Sequence, residues 1–121
     1  MDYIPSFMLK KIYEAGSLKN VEGGFQFALK NNIGSGTLVG LAKVEVDGVA
    51  VEPENIMAGR GEATAKASEM SYQKPVYFNV GDTFVVKVLG QTLAPGEHNI
   101  TLTVNTSEIG QVSIPISDTI Q

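Results

Sequence analysis

The sequence predicts an all-β chain, an antiparallel two-sheet β-sandwich of about eight or nine short strands. Three observations carry this. Apolar and polar residues alternate with a period of two in run after run, which is the signature of half-buried strands. Thirteen Gly and five Pro in 121 residues require many turns and so many short elements. The turn signals recur roughly every 8–12 residues, the spacing of a sandwich rather than of βαβ units. At this length the whole chain, 1–121, is one domain. It is long enough to bury roughly two-thirds of its unfolded surface in one core.

The N-terminal run Phe7–Tyr13 is read as a strand. Ser17-Leu18-Lys19-Asn20 is a brief pairing segment. After Gly23-Gly24, Phe25, Phe27 and Leu29 share one face and Gln26 and Lys30 the other, a half-buried strand. Asn31–Gly36 is a loop by composition. Thr37–Gly40 is extended, and Ala42–Val46 alternates up to Asp47-Gly48. An Asp-Gly pair between alternating runs marks a type I′ hairpin, because both central residues need positive φ. Val49-Ala50-Val51 returns, and Pro53 ends the strand by removing a ladder donor. Asn55–Ala58 is a short strand and Gly59-Arg60-Gly61 a tight turn. Glu62–Met70 has a strand period in helix-forming letters and is taken as strand or irregular hairpin arm. Val76–Val80 is a strand closed by Gly81-Asp82.

The most regular stretch is Thr83–Val104. Phe84, Val86 and Val88 alternate with Val85, Lys87 and Leu89. Leu93-Ala94-Pro95-Gly96-Glu97-His98 follows, and then Ile100, Leu102 and Val104 alternate with Thr101 and Thr103. Two period-two runs about a Pro-Gly turn read as a hairpin with a longer loop. After a turn at Thr106–Gly110, Val112, Ile114 and Ile116 point inward in the last strand. Pro115 cannot donate a ladder bond, which places that strand at a sheet edge or facing solvent there.

Composition narrows the chemistry. The net charge of −4 and the absence of a basic run argue against nucleic acid or an anionic membrane as partner. No apolar segment approaches the ~20 residues of a membrane span. The N-terminus lacks a signal-peptide pattern, and with no Cys in the sequence the expected location is cytoplasmic. The absence of Cys also excludes disulfides, thiolate zinc sites and a Cys nucleophile.

No catalytic, cofactor-binding or metal-binding set emerges. His98 is the only histidine. As a base it needs an orienting acid and a nucleophile, and its strand neighbours Glu97 and Asn99 point to alternating sides. Glu45, Asp47, Glu52 and Glu54 are close in sequence, but Asp47 is explained by its turn and no calcium-loop pattern is present. Gly59-Arg60-Gly61-Glu62 and Gly34-Ser35-Gly36 lack the strand–loop–helix context of a phosphate loop, and the first also lacks its Lys. The residues singled out as partner contacts are apolar: Tyr72, the adjacent pair Tyr77 and Phe78, and near the start Ile4 and Phe7. Aromatics are enriched in interface cores.

The Leu93–His98 turn leading into an alternating strand, with Ser17–Asn20, Gly24-Phe25-Gln26-Phe27, Val44–Gly48 and Pro53-Glu54 before it, resembles the small (beta) chain family of the bacterial C-glycoside deglycosidases, enzymes built of two different chains. The Glu62–Ser68 segment departs from that layout. The resemblance implies a non-catalytic β-sandwich accessory subunit without a cofactor of its own. It pairs, in a hetero-oligomer, with a larger barrel-type catalytic chain that holds the divalent metal and the catalytic base. The alternative expectation is a self-assembling or ligand-binding sandwich that acts alone, with the exposed aromatics and the loops at 31–36 and 58–61 as its contact surface.

Overall fold

The computed structural model describes residues 4–121. Met1–Tyr3, the start of the N-terminal stretch without a signal-peptide pattern, lie outside the described residues. Among the described residues ten strands, all paired antiparallel, form two sheets; the two-sheet antiparallel class is the one the alternation predicts, with strands slightly more numerous than the eight or nine expected. The first sheet holds β1 (Lys19–Val21), β2 (Gly24–Lys30), β8 (Thr83–Leu89), β5 (Ile56–Arg60) and β6 (Ala65–Lys66), in that spatial order. The second holds β10 (Gly110–Ile120), β9 (Gly96–Thr106), β3 (Gly36–Val46) and β4 (Val49–Ala50), with β7 (Val76–Phe78) also paired to β3.

The core lies between the inner faces. Phe25, Phe27, Phe84, Val88, Val44 and Leu102 are completely buried. Every one of them sits at an inward position of an alternating run, so the period-two pattern placed them correctly. Phe78 on β7 meets Phe84 on β8 across the core, with ring centroids 5.9 Å apart and planes tilted by 56°. That tilt suits the aromatic quadrupole better than a face-to-face stack.

The Asp47-Gly48 turn joins β3 to β4 as expected. Asp47 has φ 50° and Gly48 φ 86°, the two positive values a type I′ turn requires. Strand β3 runs through both segments that the sequence separates, and register shifts at Leu38/Gly40 and Leu41/Lys43 mark bulges against β9. The Glu62–Met70 segment is an irregular hairpin arm. Two residues pair with β5, and a 3-10 turn follows at Ala67–Glu69.

Three expectations are corrected. The first is the Thr83–Val104 hairpin: β8 pairs with β2 and β5, whereas β9 pairs with β3 and β10. The chain crosses between sheets over residues 90–95. Alternation says only that one face of each strand meets the core, and both sheets offer such a face. The crossing is held by Asn20, whose side chain donates to the Leu93 carbonyl (2.9 Å) and accepts from the Leu93 N–H (2.8 Å). Leu93 itself is buried.

The second correction is the N-terminal run. Ser6–Lys10 is a short helix, α1, after Pro5. Met8 and Leu9 are unbranched at Cβ and lose little rotamer freedom in a helix. The Pro5 carbonyl accepts from the N–H groups of Met8 and Leu9. Leu9 and Ile12, three apart, are the buried pair, and the helix packs on β10. Only residues 12–14 pair, with Tyr13 opposite Leu29 of β2. The third correction is at Gly59-Arg60, which continues β5; the turn begins at Gly61.

Candidate functional site

A half-open cleft of about 540 Å³ lies at one end of the sandwich. Its walls are strand residues from both sheets. Leu29 is next to last in β2, Leu38 is third in β3, Phe78 ends β7 and Ile114 comes from the first half of β10. Leu9 and Ile12 cover one side. The loop at 31–36, with Ile33, and the β9–β10 turn, with Ile109, form the mouth. A cleft of this size and apolar character is in the range that holds an apolar ligand or partner side chains.

Asn31, Thr106 and Glu108 in its lining are engaged within the fold, whereas Ser35 is exposed at the loop. Asn31 is buried. Its Nδ2 donates to the Gly34 and Phe78 carbonyls (both 2.8 Å), and its Oδ1 accepts from the N–H groups of Ile33 and Gly34. Asn31 therefore shapes the rim rather than offering a free amide. Glu108 accepts from the Thr37 N–H (2.9 Å) and hydroxyl (2.8 Å), which fastens the β9–β10 turn to β3. These bonds hold its carboxyl below the usual range, so it is a weak base. Thr106 accepts from the Ile109 N–H and donates to the Gly110 carbonyl. The cleft is built to bury apolar surface, and it presents no group poised for proton transfer.

The five singled-out residues divide. Ile4 and Phe78 both line the cleft. Phe78 is buried, so it contributes to the cleft wall and not to an open surface patch. The strand pleat sends its neighbour Tyr77 outward, 59 % exposed. Phe7 on α1 is 64 % exposed and Tyr72, in the connection before β7, 71 %. Neither Tyr72 nor Tyr77 lines the cleft.

At the other end of β9, the structure supplies the acid that sequence neighbours of His98 lack. Asp47 comes from the β3–β4 turn, and its Oδ2 lies 2.7 Å from His98 Nδ1. His98 Nε2 lies 2.7 Å from the Ala94 carbonyl. Both partners are acceptors, so the ring satisfies both only as an imidazolium. The carbonyl first, and then the carboxylate, raise the His98 pKa. The Asn99 N–H, then the ring, lower that of Asp47. A ring with both nitrogens engaged has no free lone pair to act as a general base. Residues 51 apart gave no local signal for this pair; only the turn and the β3–β9 register bring them together.

Tyr13 donates to Asp118 Oδ2 at 2.5 Å and accepts from the Leu18 N–H. Asp118 also accepts from the N–H groups of Gly16 and Thr119. Of the acidic residues weighed as ligands, Glu45 pairs with Lys43. No group of three His, Asp or Glu among the described residues is arranged to hold a metal ion. No helix among them is long and apolar enough to cross a membrane.

Residues 8–121 match the family model described as hydroxymethylglutaryl-CoA reductase, N-terminal domain. No curated protein matches the chain. The family match overturns the resemblance to the small chains of C-glycoside deglycosidases. The segments that carried the resemblance have a general structural explanation. Leu93–His98 is a sheet-to-sheet crossing, Gly24–Phe27 opens a buried strand, and Val44–Gly48 leads into a type I′ turn.

Proposed function

The chain belongs to the hydroxymethylglutaryl-CoA reductase N-terminal domain family, and we propose that it is a non-catalytic β-sandwich module that docks against the catalytic part of such a reductase. The observation that carries this reading is the apolar cleft, with Ile33 and Ile109 in its lining and its buried amide, Asn31, and its carboxylate, Glu108, committed to the fold. Covering such a surface is favourable by roughly 25 cal/mol per Å² of apolar area removed from water. Docking by strand addition fits less well. The edge strands β1, β4 and β6 are three, two and two residues long, and the long edge strand β10 carries Pro115.

Co-elution of the full chain with the catalytic reductase chain of the same host tests this reading. The expected result is a complex that Ile33→Asp or Ile109→Asp weakens by at least about tenfold, or ~1.4 kcal/mol. Absence of a complex at micromolar concentrations, or equal binding by both variants, overturns it. A defined homo-oligomer of the isolated chain in light scattering would favour the second reading, a self-assembling module. The loop at 31–36 fits that reading as part of the cleft mouth, whereas residues 58–60 lie within β5.

A further inference from the structure

The His98 ring is an arrangement that the docking reading leaves unused. It stands on β9, two residues before the buried Ile100, with its side chain only 13 % exposed. It joins two elements that have no covalent reason to stay together. One is the crossing segment at 90–95, through the Ala94 carbonyl; the other is the β3–β4 turn, through Asp47. The turn has its own hold on β9. The Asp47 N–H donates to the Asn99 carbonyl (2.7 Å), and the Asn99 N–H donates to Asp47 Oδ1 (2.8 Å). The crossing segment is anchored separately at Leu93 by Asn20. Beyond Leu93, Ala94 is exposed and the His98 ring holds its carbonyl.

We propose that His98 is a proton-operated clip that fastens the end of the sheet-to-sheet crossing to the β3–β4 turn, and that loss of its proton releases Ala94.

The direction follows from donor and acceptor counting. A neutral imidazole carries one N–H. A bond to a carboxylate is roughly twice as strong as one to a neutral carbonyl, so the remaining proton stays on Nδ1, facing Asp47. The Nε2 lone pair then faces the Ala94 oxygen at 2.7 Å and repels it. Of the charged groups on the neighbouring elements, Asp47 is the one that favours the imidazolium. Asp47 contacts it directly. Asp118 stands opposite His98 in the β9–β10 register, with its carboxylate held by Tyr13 and Gly16. Glu97 precedes the ring on the same strand and is exposed. All three are acids.

The test is a nuclear magnetic resonance pH titration of the full chain, following the His98 Cε1–H and the Ala94 carbonyl carbon together. Both are expected to shift with one common midpoint above 6.5, the ordinary histidine value. The Leu93 N–H, held by Asn20, should not follow that transition. Asp47→Asn keeps a residue tolerant of positive φ and removes the negative charge. It should move both midpoints down together. His98→Gln retains a donor without a titrating ring, and should abolish the Ala94 transition. A ring midpoint at or below 6.5, an Ala94 carbonyl that does not follow the ring, or an unmoved midpoint in Asp47→Asn overturns the proposal.

Discussion

Tyr13 shows how much one side chain can organise. Its hydroxyl accepts from Leu18 and donates to Asp118, so one oxygen ties the N-terminal segment to the far end of the chain. Burial, then the bond to Asp118, raise its pKa, while the Tyr13 hydroxyl lowers that of Asp118. Tyr13→Phe keeps the ring and deletes both bonds. It is expected to destabilise the fold by about 1–2 kcal/mol in chemical denaturation, the cost of lost bonds with a partner left behind. Gly24 is a position of another kind. A Cβ there would lie 1.8 Å from the Val88 carbonyl oxygen, within the β2–β8 pairing. Gly24→Ala should cost about 1–3 kcal/mol as an overpacked site, read as a lower midpoint in urea. Neither effect is legible from composition. Gly24 reads as a turn residue until the neighbouring backbone is known, and Tyr13 reads as part of an apolar run.

At the scale of elements, β10 is the strand most in need of protection. It is eleven residues long and pairs on one side only, with β9. Pro115 removes one donor from its ladder, as the sequence anticipates. Asp118 falls on the inward parity with Ile114, Ile116 and Ile120, and an inward charge on an edge strand discourages pairing with another chain. Helix α1 packs against the same strand. Pro115→Val combined with Asp118→Val should therefore increase self-association, measured by light scattering against concentration; scattering unchanged from the parent chain would contradict this account. The partner of each strand was harder to read. The two runs flanking residues 90–95 look like one hairpin because each alternates, yet they lie in opposite sheets. Hydrophobic period defines a face, and pairing depends on which other strands compete for the same edge.

For the whole molecule, stability rests on the interlocked inner faces. Phe84 is completely buried and meets Phe78 from the opposite sheet. Phe84→Ala should cost about 3–5 kcal/mol through lost transfer energy and a residual cavity, enough to unfold a marginal domain. The pH profile should be a dome. Asp47, Glu108 and Asp118 have pKa values lowered from 3.8, 4.5 and 3.8. Their contribution is present above those values and is lost as pH falls through the lower folded ones. His98 is raised from 6.5. Its contribution is present below 6.5 and is lost as pH rises through the folded value. Thermal melting is therefore expected to be highest between about pH 4.5 and 6.5, and His98→Gln should flatten the alkaline side.

The class of fold, most strand positions, the inward residues and the Asp47-Gly48 turn were legible in the amino-acid order alone. Each follows from local causes: alternation, Gly and Pro placement, and the φ values a tight turn demands. The same order did not reveal the sheet assignment of β8 and β9, the helix at Ser6–Lys10, the burial of Phe78 or the Asp47–His98 pair. These depend on contacts between residues far apart in the chain, where a local pattern is compatible with several outcomes. The cleft belongs to the same group. Its apolar residues are visible as letters, but only the meeting of two sheets, α1 and two loops leaves part of that apolar surface open at one end of the sandwich.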